Sequence, residues 1–301
     1  LLKPSQIALQ TREGHFGINP KIINTKTTEV NNIIYPIVKE KTAEIHDHYN
    51  QLILEFQNFV LEFRAYNDGV AYRFLTDNNS QQTIISETIE YNFPANHNIW
   101  FPEEDNMYSH QEREYKYISL EDIGEKFCSL PALIDQKSDR KIFISESDLF
   151  DYPGFFLTGN GNGLKAIFPN YPKQTKQTSD RDVKVLKRED YLAKTTGKRS
   201  FPWRLMIIGK DKELVESQLV YQLARECQLK ETDWIKPGKV AWDWWNALNI
   251  KGVDFESGVN TASYKYYMDF AAKYGIEYII LDEGWYYLDD IMKVNPEVDM
   301  E

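Results

Sequence analysis

The stretch from Leu52 to Phe74 constrains this chain most. Leu52, Leu54 and Phe56 fall at period two, and so do Phe59, Leu61, Phe63 and Ala65. After Asn67-Asp68-Gly69 the alternation resumes at Val70, Tyr72 and Phe74. Side chains at period two point to alternate faces of an extended backbone, and two such runs around an Asp-Gly turn predict a hairpin. Further strands are expected at Ile84–Tyr91, Lys141–Ile144, Gly154–Thr158, Leu164–Phe168 and Pro202–Ile208. Turn-forming runs such as Asp77-Asn78-Asn79-Ser80 and Gly159-Asn160-Gly161-Asn162-Gly163 separate them. Many short strands with regular breaks point to a sandwich. Aromatic residues make up 14% of the chain, which suits both strand packing and flat platforms for sugars.

The pattern changes near Leu214. Leu214–Glu226 reads as roughly helical, and the polar run Lys230–Gly238, ending in Pro237-Gly238, marks a domain boundary. Val240–Trp245 is short and apolar, as expected of a strand buried on both faces. Asn260 or Thr261 can then cap a helix whose Tyr264, Tyr267, Met268 and Ala271 follow helical spacing, and Gly275 suits its left-handed end. Ile276–Leu281 forms a second buried strand, which completes a right-handed strand–helix–strand unit.

That second strand runs into Asp282-Glu283-Gly284-Trp285. Carboxylates beyond the end of a buried parallel strand occupy the position where barrel enzymes place their chemistry. A solvated turn with a packing tryptophan is the plainer alternative. Asp243, at the end of the first strand, repeats the pattern. The net charge of −11 and the lack of a basic cluster argue against a nucleic-acid partner. No stretch approaches the length of a membrane span. Cys128 and Cys227 have no metal-type spacing and leave pairing open. His46 and His48 flank Asp47 and read as surface residues between strands. The opening Leu1-Leu2-Lys3-Pro4, without an initiator Met, is compatible with a signal peptide already removed and a periplasmic or secreted protein.

Five segments together resemble glycoside hydrolase family 97. They are Phe63–Phe74, Ser145-Glu146-Ser147-Asp148-Leu149 with Tyr152-Pro153-Gly154, Pro202-Trp203-Arg204, Val240–Trp245, and Gly275–Tyr278 running into Leu281–Trp285. The resemblance implies a β-rich plus α/β architecture. An N-terminal β-supersandwich would occupy residues 1–229, and the first strands of a (β/α)8 TIM barrel would occupy 230–301, truncated in this chain. It also implies a calcium-dependent glycosidase acting on oligosaccharides with terminal α-linked galactose or glucose. A retaining α-galactosidase is the favoured expectation, an inverting α-glucosidase the alternative, and a non-catalytic carbohydrate-binding module a third reading.

Leu281–Trp285 looks like the Asp-Asp-Gly-Trp element of related α-galactosidase barrels, whose carboxylates receive the axial O4 and O6 hydroxyls of galactose; here Glu283 replaces the second Asp. The implied substrate-binding residues are Asp282, Glu283, Trp285 and Asp243. His110, in the polar loop Tyr108–Glu112, could also reach the sugar. The family places a sandwich Glu on its calcium ion (Ca2+), which here is Glu146, with Asp148 as runner-up. The catalytic nucleophile and acid fall after later barrel strands, so none is expected in this chain.

Overall fold

The computed structural model describes residues 2–38, 41–161, 163–178, 182–287 and 290–298. They fall into two compact units. One comprises Leu1–Pro36, Ala43–Gln174 and Val185–Gln228; the other comprises Ile37–Thr42, Thr175–Lys184 and Leu229–Glu301.

The first unit is antiparallel β-structure. Ile45–Glu55, Val60–Ala65 and Gly69–Asp77 form a meander in which Leu61 lies opposite Phe74 and Phe63 opposite Tyr72. The expected turn at Asn67-Asp68-Gly69 joins its last two strands. Gly69 is required there, because a Cβ would lie 2.4 Å from the Met206 carbonyl oxygen. His46, Asp47 and His48 lie within the first of these strands rather than between strands, and Asp47 is buried. The other expected strands form as Gln82–Asn92, Lys141–Ser147, Phe156–Gly159, Gly163–Ile167 and Trp203–Gly209.

Three hydrophobic clusters fill the described part of this unit, two of them large. One gathers Ile99, Phe101, Ile134, Ile142, Ile144 and Leu157; the other gathers Leu9, Phe59, Leu61, Phe74, Ile84 and Phe201. The strand Trp203–Gly209 is covered on both faces. Trp203, Leu205 and Ile207 pack beneath Leu219 and Leu223, while Arg204 alternates to the opposite side. The region expected as one helix over Leu214–Glu226 forms two short helices, Asp211–Glu216 and Leu219–Gln222. Ser217 breaks the run: its backbone is extended, and its hydroxyl donates to Asp68 Oδ2 at 2.6 Å. Cys128 and Cys227 are both free thiols, one buried and one exposed.

The second unit contains a parallel strand–helix–strand. Val240–Trp242 pairs in parallel with Tyr278–Ile280, and the helix Thr261–Tyr274 connects them. Asn260 caps the helix through a hydrogen bond from Ser263 N at 2.9 Å, and Gly275 ends it at φ 66°. Tyr264, Tyr267 and Ala271 are buried, but Met268 is 47% exposed and falls off the packed stripe.

Both strands are shorter than expected. Asp243 turns helical and starts a 3₁₀ turn at Trp244–Asn246. Val240, Tyr278 and Ile280 are half exposed rather than buried on both faces. Among the described residues, no helix is long and apolar enough to cross a membrane.

Candidate functional site

In the first unit the candidate chemistry centres on Arg204. Glu146 lies directly opposite it on the neighbouring strand, and Tyr72 lies opposite it on the other side. Period two turns Arg204 inward, where only 1% of its side chain is exposed. Glu87, on the strand Gln82–Asn92, grips the guanidinium with both oxygens at 2.9 and 2.8 Å. Glu146 Oε2 accepts from Arg204 Nη1. Burial of the guanidinium alone would lower its proton affinity, but the Glu87 and Glu146 carboxylates outweigh that and raise it. Arg204 is thus a fixed positive charge between two acids.

One cation and two carboxylates leave an excess negative charge when both acids are ionised. The cost falls on Glu146. Burial pushes its pKa up to about 7, against the pull of Arg204 and with a further push from Glu87. The folded value lies above the ordinary 4.5, so protonation favours the folded unit. This contribution is fully present below the unfolded value and is lost as pH rises through about 7. Without calcium, Glu146→Gln is expected to flatten the stability profile over that window by up to about 3 kcal/mol. Thermal unfolding at pH 5 and pH 8 measures this, and parallel profiles for parent and variant would contradict it.

Gly154 faces the same carboxylate: a Cβ there would lie 2.8 Å from Glu146 Oε1. Glycine therefore lets the main chain pack close against that oxygen, and the neighbouring Phe155 amide bonds the same carboxylate. Asp148, two residues along at φ 57°, has its side chain only 6% exposed and ion-paired with Arg225. His110 lies exposed in the segment between Glu104 and Tyr115.

In the second unit, the ends of the two parallel strands bring Asp243 and Asp282 together. The Asp243 carboxylate accepts from Trp244 N at 2.7 Å and from Asp282 N at 3.2 Å. It is 2% exposed, so Asp243 ties one strand end to the other. Tyr264 lies against it, and burial followed by the Asp243 charge raises its hydroxyl to about 12. Asp282 Oδ1 accepts from Glu283 N at 2.8 Å, and Glu283 is exposed. Trp285 packs edge-on against Tyr286 with centroids 4.9 Å apart.

Gly284 sits at φ 108°, where a Cβ would meet Val259 at 3.2 Å. Asn295, which sequence reasoning missed, pins this turn. Its side chain donates to Gly284 O, and its backbone N donates to Trp285 O, both at 2.9 Å. The Arg204–Glu87 contact was missed as well, because nothing in the local pattern joins residues that far apart in the chain.

The Glycosyl-hydrolase 97 N-terminal family model matches residues 1–225, and the Glycoside hydrolase 97 model matches residues 244–301. A retaining α-galactosidase of Bacteroides thetaiotaomicron is 38% identical over 320 aligned residues, covering 100% of this chain and 48% of that protein. A probable retaining α-galactosidase of Streptomyces bingchenggensis is 26% identical over 77% of this chain and 32% of its own length. The chain thus spans about half or less of these curated relatives. Among solved structures, a glycoside hydrolase family 97 enzyme from Pseudoalteromonas sp. strain K8 in complex with acarbose superposes at TM-score 0.76. It shares 22% identity and covers 99% of this chain and 46% of that one. A β-arabinopyranosidase superposes at 0.74 with 18% identity, covering 93% of this chain and 45% of its own. These two likenesses concern the fold.

Proposed function

The chain belongs to glycoside hydrolase family 97, and from that premise we propose that it forms part of a retaining, calcium-dependent enzyme that hydrolyses terminal α-galactosidic bonds. In this reading residues 1–229 are the sandwich and 230–301 open the catalytic (β/α)8 barrel. The observation that carries it is the 38% identity to a retaining α-galactosidase along the whole of this chain.

The chain's own residues would bind and position rather than break bonds. Asp282 and Glu283 follow a parallel strand end, and their carboxylates suit galactose hydroxyls, since a carboxylate accepts from two hydroxyls and penalises an epimer that leaves it unpaired. Asp243, engaged with backbone amides, would hold that rim in place. Trp285 would offer a flat apolar face to the sugar. Retaining hydrolysis needs a nucleophile and an acid about 5–5.5 Å apart, and no residue of this chain is assigned to either role.

Calcium takes about six to eight oxygen ligands. Glu146 would supply one, because it and Glu87 share the single Arg204 cation and leave carboxylate charge in excess. Bound calcium would supply charge neutralisation there. The described residues hold no cluster of three or more metal-type side chains, so Glu146 would be one contributor to a shared site.

A protein that joins this chain to a complete barrel is expected to release nitrophenol from p-nitrophenyl α-galactoside at least about tenfold faster than from the α-glucoside. Turnover should fall in EGTA and return with calcium. A preference for the glucoside would move the reading to an inverting α-glucosidase, and full activity in chelator would remove calcium from it. Absence of turnover on either glycoside would leave a carbohydrate-binding module.

A further inference from the structure

The first unit contains a concave pocket of about 440 Å³, within the range of about 300–1,000 Å³ typical of small-molecule sites. Two tyrosine rings stand at its wall: Tyr108 and Tyr171 are 55% and 52% exposed. Tyr171 is backed by the Tyr191 ring at 5.7 Å and 21°, and Lys194 Nζ lies 5.1 Å from the Tyr191 centroid. The main chain locks this stack. Tyr171 N donates to Tyr191 O, and Glu189 N donates to Tyr171 O, both at 2.9 Å. Tyr171 is therefore a braced platform rather than a loose surface ring.

Polar groups surround the platform. Arg188 is anchored by a hydrogen bond from Nη1 to the Asn170 carbonyl at 2.6 Å, and it carries a planar fork of donors. Asp151 pairs with Arg199 at 2.9 Å and is 57% exposed at its side chain. Asn170 and Lys194 complete the polar lining. Carboxylate and cations thus occur together. A free anion would meet Asp151, a cation would meet Arg188 and Lys194, and an all-apolar ligand would strip these groups of water without replacing it. A neutral polyol with one apolar face offends none of them.

The loop that brings Tyr108 to this wall is held from behind by Glu104. Its side chain is 0% exposed. Glu104 Oε2 accepts from Ser109 Oγ at 2.7 Å and from Arg113 Nε at 2.9 Å. Within the loop, Tyr108 N donates to Asn106 Oδ1 at 2.8 Å. A loop fixed before the ligand arrives loses less entropy on binding.

We propose that this pocket is a saccharide subsite: it takes one pyranose ring of an oligosaccharide, stacked on Tyr171 and Tyr108 and hydrogen-bonded through Arg188, Asn170 and Asp151. Glu104 acts as a positioning residue for Tyr108. The inference rests on the glycoside hydrolase reading and adds to it a place where the sandwich itself grips the sugar.

The test is saturation-transfer NMR of the 301-residue chain with raffinose, which reads binding without turnover. The chain should bind raffinose. Tyr171→Ala should weaken binding about two- to tenfold, the size of one lost aromatic contact, and Tyr171→Phe should restore most of it. Arg188→Met should weaken it comparably. Glu104→Gln should weaken binding less than Tyr108→Ala, and combining the two should add nothing, as a residue acting through Tyr108 requires. Circular dichroism confirms that each variant is folded. No saturation transfer from the folded parent chain at tens of millimolar raffinose overturns the proposal. So does equal binding by Tyr171→Ala and Arg188→Met, which would put the sugar elsewhere. Either failure leaves the α-galactosidase reading standing, because that is read by turnover of a protein with a complete barrel.

Discussion

Arg204→Met is expected to destabilise the sandwich unit by about 3–5 kcal/mol, the usual penalty for removing one partner of a buried ion pair. The substitution keeps an unbranched chain of similar length between the sheets, so lost volume is a minor part of the effect. The dominant part is that Glu87, gripped at 2.9 and 2.8 Å, and Glu146 are left buried without their cation. Their charge must then be met by water drawn into the unit or, at Glu146, by a proton. The penalty should therefore be larger at pH 8 than at pH 5, where protonation relieves Glu146. Near the transition this corresponds to a fall in Tm of about 10 °C or more. Adding Glu87→Gln to Arg204→Met should recover part of the loss, because it removes one orphaned charge. A Tm within 2 or 3 °C (about 1 kcal/mol) of the parent at pH 8 would mean that solvent reaches the triad freely.

The same residues explain what the sequence made legible. Period two at Leu52–Phe74 was readable because local geometry dictates it, and the hairpin turn at Asp68-Gly69 followed from backbone tolerance alone. The three first-unit segments that carry the family resemblance hold that unit together. Arg64 and Arg73 lie over the Trp203 ring at 4.6 and 4.2 Å, and both pair with the buried Glu62. Trp203 and Arg204, adjacent in sequence, serve opposite faces of one strand. Ser147 donates to the Val220 carbonyl at 2.6 Å, tying a strand to a short helix. A sequence shows that such residues form a pattern, but their partners lie dozens of positions away and are set only by sheet register.

The errors have a similar origin. Leu214–Glu226 has helical spacing, yet Ser217 finds a better partner in Asp68, 149 positions distant, and the helix splits. Val240–Trp245 was apolar enough for a six-residue strand, but Asp243 captures two backbone amides and bends the chain after Trp242. The carboxylates at Asp243 and Asp282 were legible as a pair of strand ends. Their mutual hydrogen bond, and the bracing of the Asp282–Trp285 turn by Asn295, were not.

The 301-residue polypeptide by itself is expected to hydrolyse neither aryl α-galactoside nor aryl α-glucoside above the buffer control, with calcium or with a chelator. A (β/α)8 barrel closes its active face with about eight strands and the loops that follow them. The described second unit offers two parallel strands of three residues each. The surface of this unit is still open: Trp244 and Trp245 are 59% and 80% exposed, and Tyr278 and Ile280 are 44% and 45% exposed. A pocket with such walls cannot exclude water or hold a glycoside between two carboxyl groups at the separation that retaining chemistry requires. Two of the acids at these strand ends are also committed. Asp243 accepts from the backbone of Trp244 and Asp282, and Asp282 accepts from the backbone of Glu283. Both are engaged with backbone amides, which does not poise them as an acid and a nucleophile. Turnover by this polypeptide would overturn that assignment. Asp243→Asn, Asp282→Asn and Glu283→Gln would then be the variants to measure, and the one that abolished the rate would identify the misplaced catalytic group.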